Sequence, residues 1–448
     1  MIDSFLSKAT ALRASGDIAG AIASIKSAIA AAPEDPRGYS RLAHLSLESF
    51  DYTAARGAFE NAVRLMPSDV GYRNNYGMML IYVGDFAAAR AQFRHVIAID
   101  AACAPAYYNL APITPISDAA ALAEDLEKLK AGAETDLDHC LIGFALGKLY
   151  DDLGEWDLAF ENFATGNTRK GARYDHAVTQ TLFSASKAAF SGPRANAATS
   201  AAARQQTPIF IVGMPRCGSS LIEDMLARRT GVTGLGERSE IPGLVTMVRD
   251  RHASRLKFPW CAPHLTSGEL GELADRYFVS VNRQAKGAPF VIDKQLLNFQ
   301  YAPLLGMMFP SAAILHCVRN PIDTCLSTYF TNFQSGFAYS FDLADLGAYY
   351  RAHHDLMTHY QSILADALVT VQYEEVVARK EAVISGLADR LGLPRSPAVE
   401  REEPPPRNIR TSSAWQVRQP VYTHAIKRWK NYEKHLGPLI DSLGDLAT

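Results

Sequence analysis

Residues 208–227 read PIFIVGMPRCGSSLIEDMLA. Ile209 to Val212 has the length and β-branched content of a buried strand. Gly213 and Gly218 bracket a tight turn, and Ser219 to Arg229 reads as the start of a helix. Strand, glycine loop and helix in that order bring free backbone N–H groups and the positive end of a helix dipole to one point, which makes an anion cradle. The spacing from Gly213 to Gly218-Ser219-Ser220 is that of a Walker loop, with Ser219 where a nucleotide triphosphatase carries Lys. That Lys reaches the β and γ phosphates, so its replacement argues against ATP or GTP hydrolysis. The cation of this loop is Arg216.

Composition sets the outer limits. A chain of 448 residues holds two or three domains, and 48% apolar residues supply a large core. A net charge of −2 argues against bulk nucleic-acid binding, which needs a basic face, and leaves room for local basic pockets. The six cysteines include no C-x-x-C pair, which suits a reducing compartment and gives no metal framework. The first residues lack a charged segment followed by a long apolar run, and no stretch is apolar enough to span a bilayer. The expectation is a cytoplasmic protein with no metal, no nucleic acid and no membrane among its partners.

Upstream of the cradle the chain repeats with a period of 34. Gly16-Asp17, Phe50-Asp51 and Gly84-Asp85 recur at that interval, as do Ala21, Ala55 and Ala89, and Ile25, Phe59 and Phe93. Pro33 and Pro67 close the first two units, with Ala101 in the third place. Small residues where helices cross, and Pro at the unit end, resemble tetratricopeptide (TPR) repeats. Each unit is then a helix hairpin, in which Ala permits close approach and the large residues fill the space between units. The pattern returns in degenerate form at Leu146-Gly147, Tyr150, Gly154, Ala159 and Phe163. An all-α TPR solenoid over 1–165 is expected, followed by a helical and flexible linker over 166–206 and a second domain over 207–448. The solenoid either offers a surface to a protein partner or a second subunit, or only braces the next domain.

Downstream, Gly236-Glu237 falls where the chain returns to the C-terminal edge of a sheet, the edge at which open α/β folds bind ligands. A carboxylate there can take a proton from an attacking hydroxyl; the alternative is a surface pair with Arg238. The short strand Phe290 to Asp293 ends in Lys294, an ammonium able to neutralise charge on a leaving oxygen, or else one that pairs with Asp293 or another acid. The strand 312–318 delivers Arg319-Asn320-Pro321, then Asp323, Thr324 and Ser327. Pro321 starts a helix across whose first turns Arg319 and Ser327 converge, and the guanidinium fork suits phosphate oxygens. The alternative for Arg319 is a salt bridge to Asp323. After a further strand at 368–371 come Tyr373 and Glu374, then an exposed linker or lid at 394–410. The tail runs from Thr411 through Ser413 and Trp415 to Pro420, Tyr422, Arg428 and Trp429.

These motifs together resemble sulfotransferases that use 3′-phosphoadenosine 5′-phosphosulfate (PAPS), across the whole second domain. Gly236-Glu237, Tyr373-Glu374 and the tail are similar to the tyrosylprotein sulfotransferase branch. The resemblance implies an α/β P-loop-like domain with a parallel sheet. It makes Pro215, Arg216, Cys217, Gly218, Ser219 and Ser220 the 5′-phosphosulfate loop. Arg319 and Ser327 become the 3′-phosphate clamp, and Tyr373, Ser413 and Arg428 close on the nucleotide. Glu237 is then the base, with Lys294 and Arg216 stabilising the transferred charge. The implied reaction moves a sulfuryl group to an acceptor hydroxyl, on protein tyrosine or a similar aryl or peptide acceptor, and leaves 3′,5′-adenosine bisphosphate. A glycan or small-molecule acceptor, or an inactive TPR scaffold, are the alternatives. Two departures stand out: Arg428 where the family has Lys, and Thr331 where the tyrosylprotein branch has a further Arg.

Overall fold

Residues 2–191, 206–251, 256–285, 287–333, 336–394, 415 and 426–447 are described in the computed structural model of the chain, the side chains of 249–251 and 283 excepted. The chain divides into one unit of Met1–Lys170 with Pro405–Arg418, and another of Gly171–Pro404 with Gln419–Thr448.

The first unit is helical. It comprises α1 (Ile2–Ala14), α2 (Ile18–Ala31), α3 (Pro36–Glu48), α4 (Tyr52–Leu65), α5 (Val70–Val83), α6 (Phe86–Ile99), α7 (Ala104–Leu110), α8 (Ile116–Ala131), α9 (Asp136–Leu153) and α10 (Trp156–Thr168). The period of 34 is also a capping period. Asp17, Asp51 and Asp85 each accept a backbone N–H three residues on, at 2.8, 3.0 and 3.2 Å, and so start α2, α4 and α6. Asp35 and Asp69 cap α3 and α5, accepting the N–H groups of Arg37 and Tyr72. Ala21, Ala55 and Ala89 are fully buried, as are Phe59 and Phe93. Phe59 meets His44 of α3 edge-on and the Phe93 ring lies against Gly77 of α5, so each ring packs on the partner helix of its own hairpin rather than filling the space between units. Trp415 also belongs here: its ring meets Phe86 edge-on with centroids 4.4 Å apart. The sequence reading had placed Trp415 in the second domain, with the nucleotide-closing tail.

In the second unit α11 (His176–Ala189), which falls in the stretch read as a linker, precedes β1 (Thr207–Gly213), α12 (Ser219–Ala227) and β2 (Val232–Gly236). Then follow α13 (Glu240–Arg251), α14 (Ser267–Ala285), β3 (Phe290–Asp293), α15 (Ala302–Met308), β4 (Ala313–Val318), α16 (Pro321–Tyr329) and α17 (Leu343–Leu364). The chain continues with β5 (Leu368–Gln372), α18 (Tyr373–Ala378), α19 (Lys380–Arg390) and, near the end, α20 (Gly437–Leu443). The sheet order is β2-β3-β1-β4-β5 and every pairing is parallel. Alternation along β1 fills both faces. Ile209 and Ile211 join Leu315, Val369, Val371, Ile222 and Leu226 on one side. On the other, Phe210 packs on Tyr277 and Phe309 at 5.8 and 5.4 Å between ring centroids. Because β1 is central, with β3 on one side and β4 on the other, the loop after Gly213 lies between the ends of β3 and β4. That is the crevice where such sheets hold ligands.

Candidate active site

The cradle is built by three residues in the left-handed region: Gly213 at φ +148°, Arg216 at +68° and Gly218 at +92°. Their turns alternate the side chains. Pro215, Cys217 and Ser219 face inward, while Arg216, Gly218 and Ser220 keep access to the crevice. Cys217 is 1% exposed beside Cys317, so only its backbone can meet a ligand; its thiol belongs to the core. Burial pushes the Cys317 thiol well up. The opening of α12 aims its first N–H groups into the turn. Glycine is required at 218, because a Cβ there would stand 2.2 Å from Cδ2 of Tyr373.

Ser327 was expected to face Arg319; its hydroxyl instead meets Arg216, and Arg319 reaches the same loop. Arg216 Nε donates to Ser327 Oγ at 3.0 Å, and Arg319 Nη1 donates to the Arg216 carbonyl at 3.3 Å. Thr328 Oγ1 adds a 3.1 Å bond to the Pro215 carbonyl, fastening α16 under the loop. The Arg319 guanidinium carbon lies 5.1 Å from the Tyr373 ring centroid. Glu374 accepts from the Asn320 backbone N–H at 2.9 Å, holding the turn that presents Arg319. Two guanidinium groups, a hydroxyl and a helix N-terminus therefore converge on one crevice. Such donors suit an anionic oxygen.

The second focus lies at the ends of β2 and β3. Lys294 Nζ donates to Glu237 Oε1 at 2.6 Å; the lysine side chain is 1% exposed, the glutamate 41%. The carboxylate can thus be reached by an acceptor while the ammonium is held in place. Of the alternative partners, Arg238 turns inward to Glu240, Ser280 and Gln284, and Asp293 accepts from the Tyr277 hydroxyl at 3.2 Å. Burial pushes the Asp293 carboxyl up to about 7.

Three groups position the site, of which the sequence offered only Asp323, as an alternative partner for Arg319. Glu223 of α12 accepts the Gly236 N–H at 2.9 Å, and the Gly236 carbonyl accepts the Lys294 N–H at 3.0 Å, so the peptide groups on both sides of Gly236 are held next to Glu237. Gln295 Nε2 donates to the Arg238 carbonyl at 3.1 Å and closes the same tie. Asp323 is the third. Its two carboxylate oxygens accept the backbone N–H groups of Lys427 and Trp429 at 2.7 and 3.0 Å, and it also feels the charge of Arg319. The only signal for Glu223 was an acid within a largely apolar helix. Arg428 follows Lys427, with its guanidinium carbon 5.9 Å from the Phe330 ring centroid. Ser413 and residues 395–410 of the expected linker lie outside the described residues.

Among the described residues no cluster of three or more His, Cys, Asp or Glu is arranged to hold a metal. No helix there is long and apolar enough to cross a membrane.

Residues 208–397 match the sulfotransferase family. A curated relative from Aquifex aeolicus (strain VF5), described as an uncharacterized protein, is 25% identical over 419 residues. The match takes in 91% of this chain and 54% of the relative, so the chain spans about half that protein's length. The sulfotransferase domain of the Synechococcus PCC 7002 olefin synthase is similar over 52% of this chain and 90% of its own, with 19% identity and a TM-score of 0.38. MamA covers 38% of this chain and 91% of its own at 19% identity and a TM-score of 0.32. The type IV pilus biogenesis factor PilW covers 41% and 83% at 17% identity and a TM-score of 0.33. The chain combines an all-helical TPR-like N-terminal region with a C-terminal sulfotransferase domain on a parallel sheet.

Proposed function

We propose that the protein transfers a sulfuryl group from PAPS to an acceptor hydroxyl, and that the acceptor is a tyrosine or similar aryl group on a peptide. The observation that carries the reading is the Glu237–Lys294 pair, 2.6 Å apart at the strand ends beside the Arg216 loop. When bound, PAPS would supply the activated sulfuryl group and a 3′-phosphate absent from ATP. The residues present fit it. Arg319 and Ser327 suit the 3′-phosphate, the 213–220 cradle suits the 5′ side, and Tyr373 already lies against Gly218 to bound the pocket.

Glu237 takes the proton of the acceptor hydroxyl as its oxygen forms a bond to sulfur. The sulfur–oxygen bond to the 5′-phosphate breaks, and its electron pair stays with the leaving phosphate. Lys294, released from Glu237 as that carboxylate is protonated, neutralises the charge on the departing oxygen, and Arg216 serves the sulfuryl oxygens. Burial of Lys294 sharpens this effect, because an ammonium in a water-poor site interacts more strongly than one in bulk water. The repeats would present the peptide or another partner protein.

Calorimetry tests the cofactor. The protein should bind 3′,5′-adenosine bisphosphate in preference to 5′-AMP and ATP, and Arg319→Ala should weaken that binding by roughly 2 kcal/mol. Equal binding of ATP, or an indifferent Arg319→Ala, rejects the assignment. Sulfate transfer from labelled PAPS to tyrosyl peptides, glycans and small phenols then identifies the acceptor. Glu237→Gln should lower turnover about 10²–10⁴-fold with bisphosphate affinity retained.

A further inference from the structure

Asp323 enters the sequence analysis only as the alternative partner for Arg319, and its carboxylate makes two other bonds. It is 1% exposed on α16, one turn before Ser327. Both oxygens take backbone N–H groups from a segment about a hundred residues further along the chain, those of Lys427 and Trp429. Lys427 sits at φ +59°, a conformation uncommon outside glycine, and this turns two amides flanking Arg428 toward a single carboxylate. The residues that follow seat the segment. Tyr432 is fully buried and meets Phe330 edge-on at 4.9 Å, and Leu436, Leu439 and Leu443 are buried behind it.

We propose that Asp323 is the tether that positions Arg428 for the nucleotide, making it a positioning residue for cofactor binding. This rests on the nucleotide reading given above. The same short helix then carries two devices: Ser327, on the proposed phosphate clamp, and Asp323, which fixes where the basic tail begins. A carboxylate is suited to the task because it accepts two charge-assisted hydrogen bonds at once, where an amide oxygen gives a weaker, uncharged version. The charged groups that act on it are Arg319 after β4 and Glu374 on α18, while Lys427 and Trp429 of the tail reach it through their backbone N–H groups. Burial holds the Asp323 carboxyl above its ordinary value, against the tail amides and Arg319, which pull it down.

The test uses the full chain and 3′,5′-adenosine bisphosphate as the probe. Asp323→Ala should weaken binding about tenfold, and Asp323→Asn, which keeps the shape and one acceptor, should fall between. Asp323→Ala and Arg428→Ala combined should cost clearly less than the sum of the two, since one acts through the other. In wild type, affinity should decline as pH falls through a range above the ordinary aspartate value; Asp323→Asn should lose that decline. Hydrogen exchange should show the Lys427 and Trp429 amides deprotected in Asp323→Ala while those of α16 stay protected. Unchanged affinity in Asp323→Ala, or additive effects with Arg428→Ala, overturns the tether and leaves the nucleotide reading standing. Wild type that fails to bind the bisphosphate removes the nucleotide reading and the role of the tether together.

Discussion

Gly218 meets two demands that differ in kind. Its φ of +92° is strained for any side chain, and the Tyr373 ring fills the space a Cβ would take. Gly236 meets only the first: its φ is +74°, with nothing within 4 Å of the added atom. Gly236→Ala should therefore cost about 1–2 kcal/mol in chemical denaturation, the backbone term alone. Gly218→Ala should cost a further 1–3 kcal/mol for displacing the ring. It should also abolish bisphosphate binding, because the ring it moves lies against Arg319. Equal losses in the two variants would show that Tyr373 yields freely. The cradle glycines were legible in the sequence because their spacing is local, six residues between a strand and a helix. Glu223 was not, since the peptide it holds is thirteen positions away and nothing in a helical pattern announces that contact.

At the scale of single elements, β3 and β4 each carry a buried titratable side chain close to the site, and the two respond to pH in opposite senses. Asp293, at the end of β3, is pushed up to about 7 by burial and by the nearby Glu240. The folded chain keeps a proton there that the unfolded chain gives up near pH 4, so this group makes stability fall as pH rises from about 4 through 7. His316 of β4 is held down to about 4 by burial, and His353 of α17, ring centroid 5.4 Å away, is held well below its ordinary value. The folded chain refuses protons there that the unfolded chain accepts near pH 6.5. The histidines' contribution is therefore fully present above that pH and is lost as pH falls toward 4.

Over much of the range from 4 to 7 the two contributions offset, each of the order of a few kcal/mol. Asp293→Asn should steepen the rise of stability with pH, and His316→Phe should reverse or flatten it, both read from denaturation midpoints at pH 4.5, 6 and 7.5. Parallel curves for all three proteins would sink this account. The strands themselves were legible as short apolar runs ending in charge. Which of Asp293 and Lys294 faces the crevice was not, because adjacent residues at a strand end take opposite faces and the sequence leaves open which side the ligand occupies.

Across the whole molecule, what repeats was easy to read and what returns was not. The period of 34 shows itself in capping aspartates and buried alanines alike, so the helical unit followed directly from the sequence. Helix α11 and Trp415 were assigned to a linker and to the second domain. They pack in the second and first units respectively, and no local pattern encodes such a placement. The pairing of Glu237 with Lys294 spans 57 residues and the hold of Asp323 on Lys427 spans 104, which is why both escaped a reading that works outward from short motifs. The second of these distances also sets an order of events during synthesis. At about 5–20 residues per second, the α16 carboxylate is made roughly 5–20 seconds before the amides that will occupy it. The phosphate cradle and its clamp can form in that interval, but the basic arm cannot. On the proposed nucleotide reading, a nascent chain passes through a stage with the cradle but without the tail, and should bind the bisphosphate more weakly there than once the tail has been made.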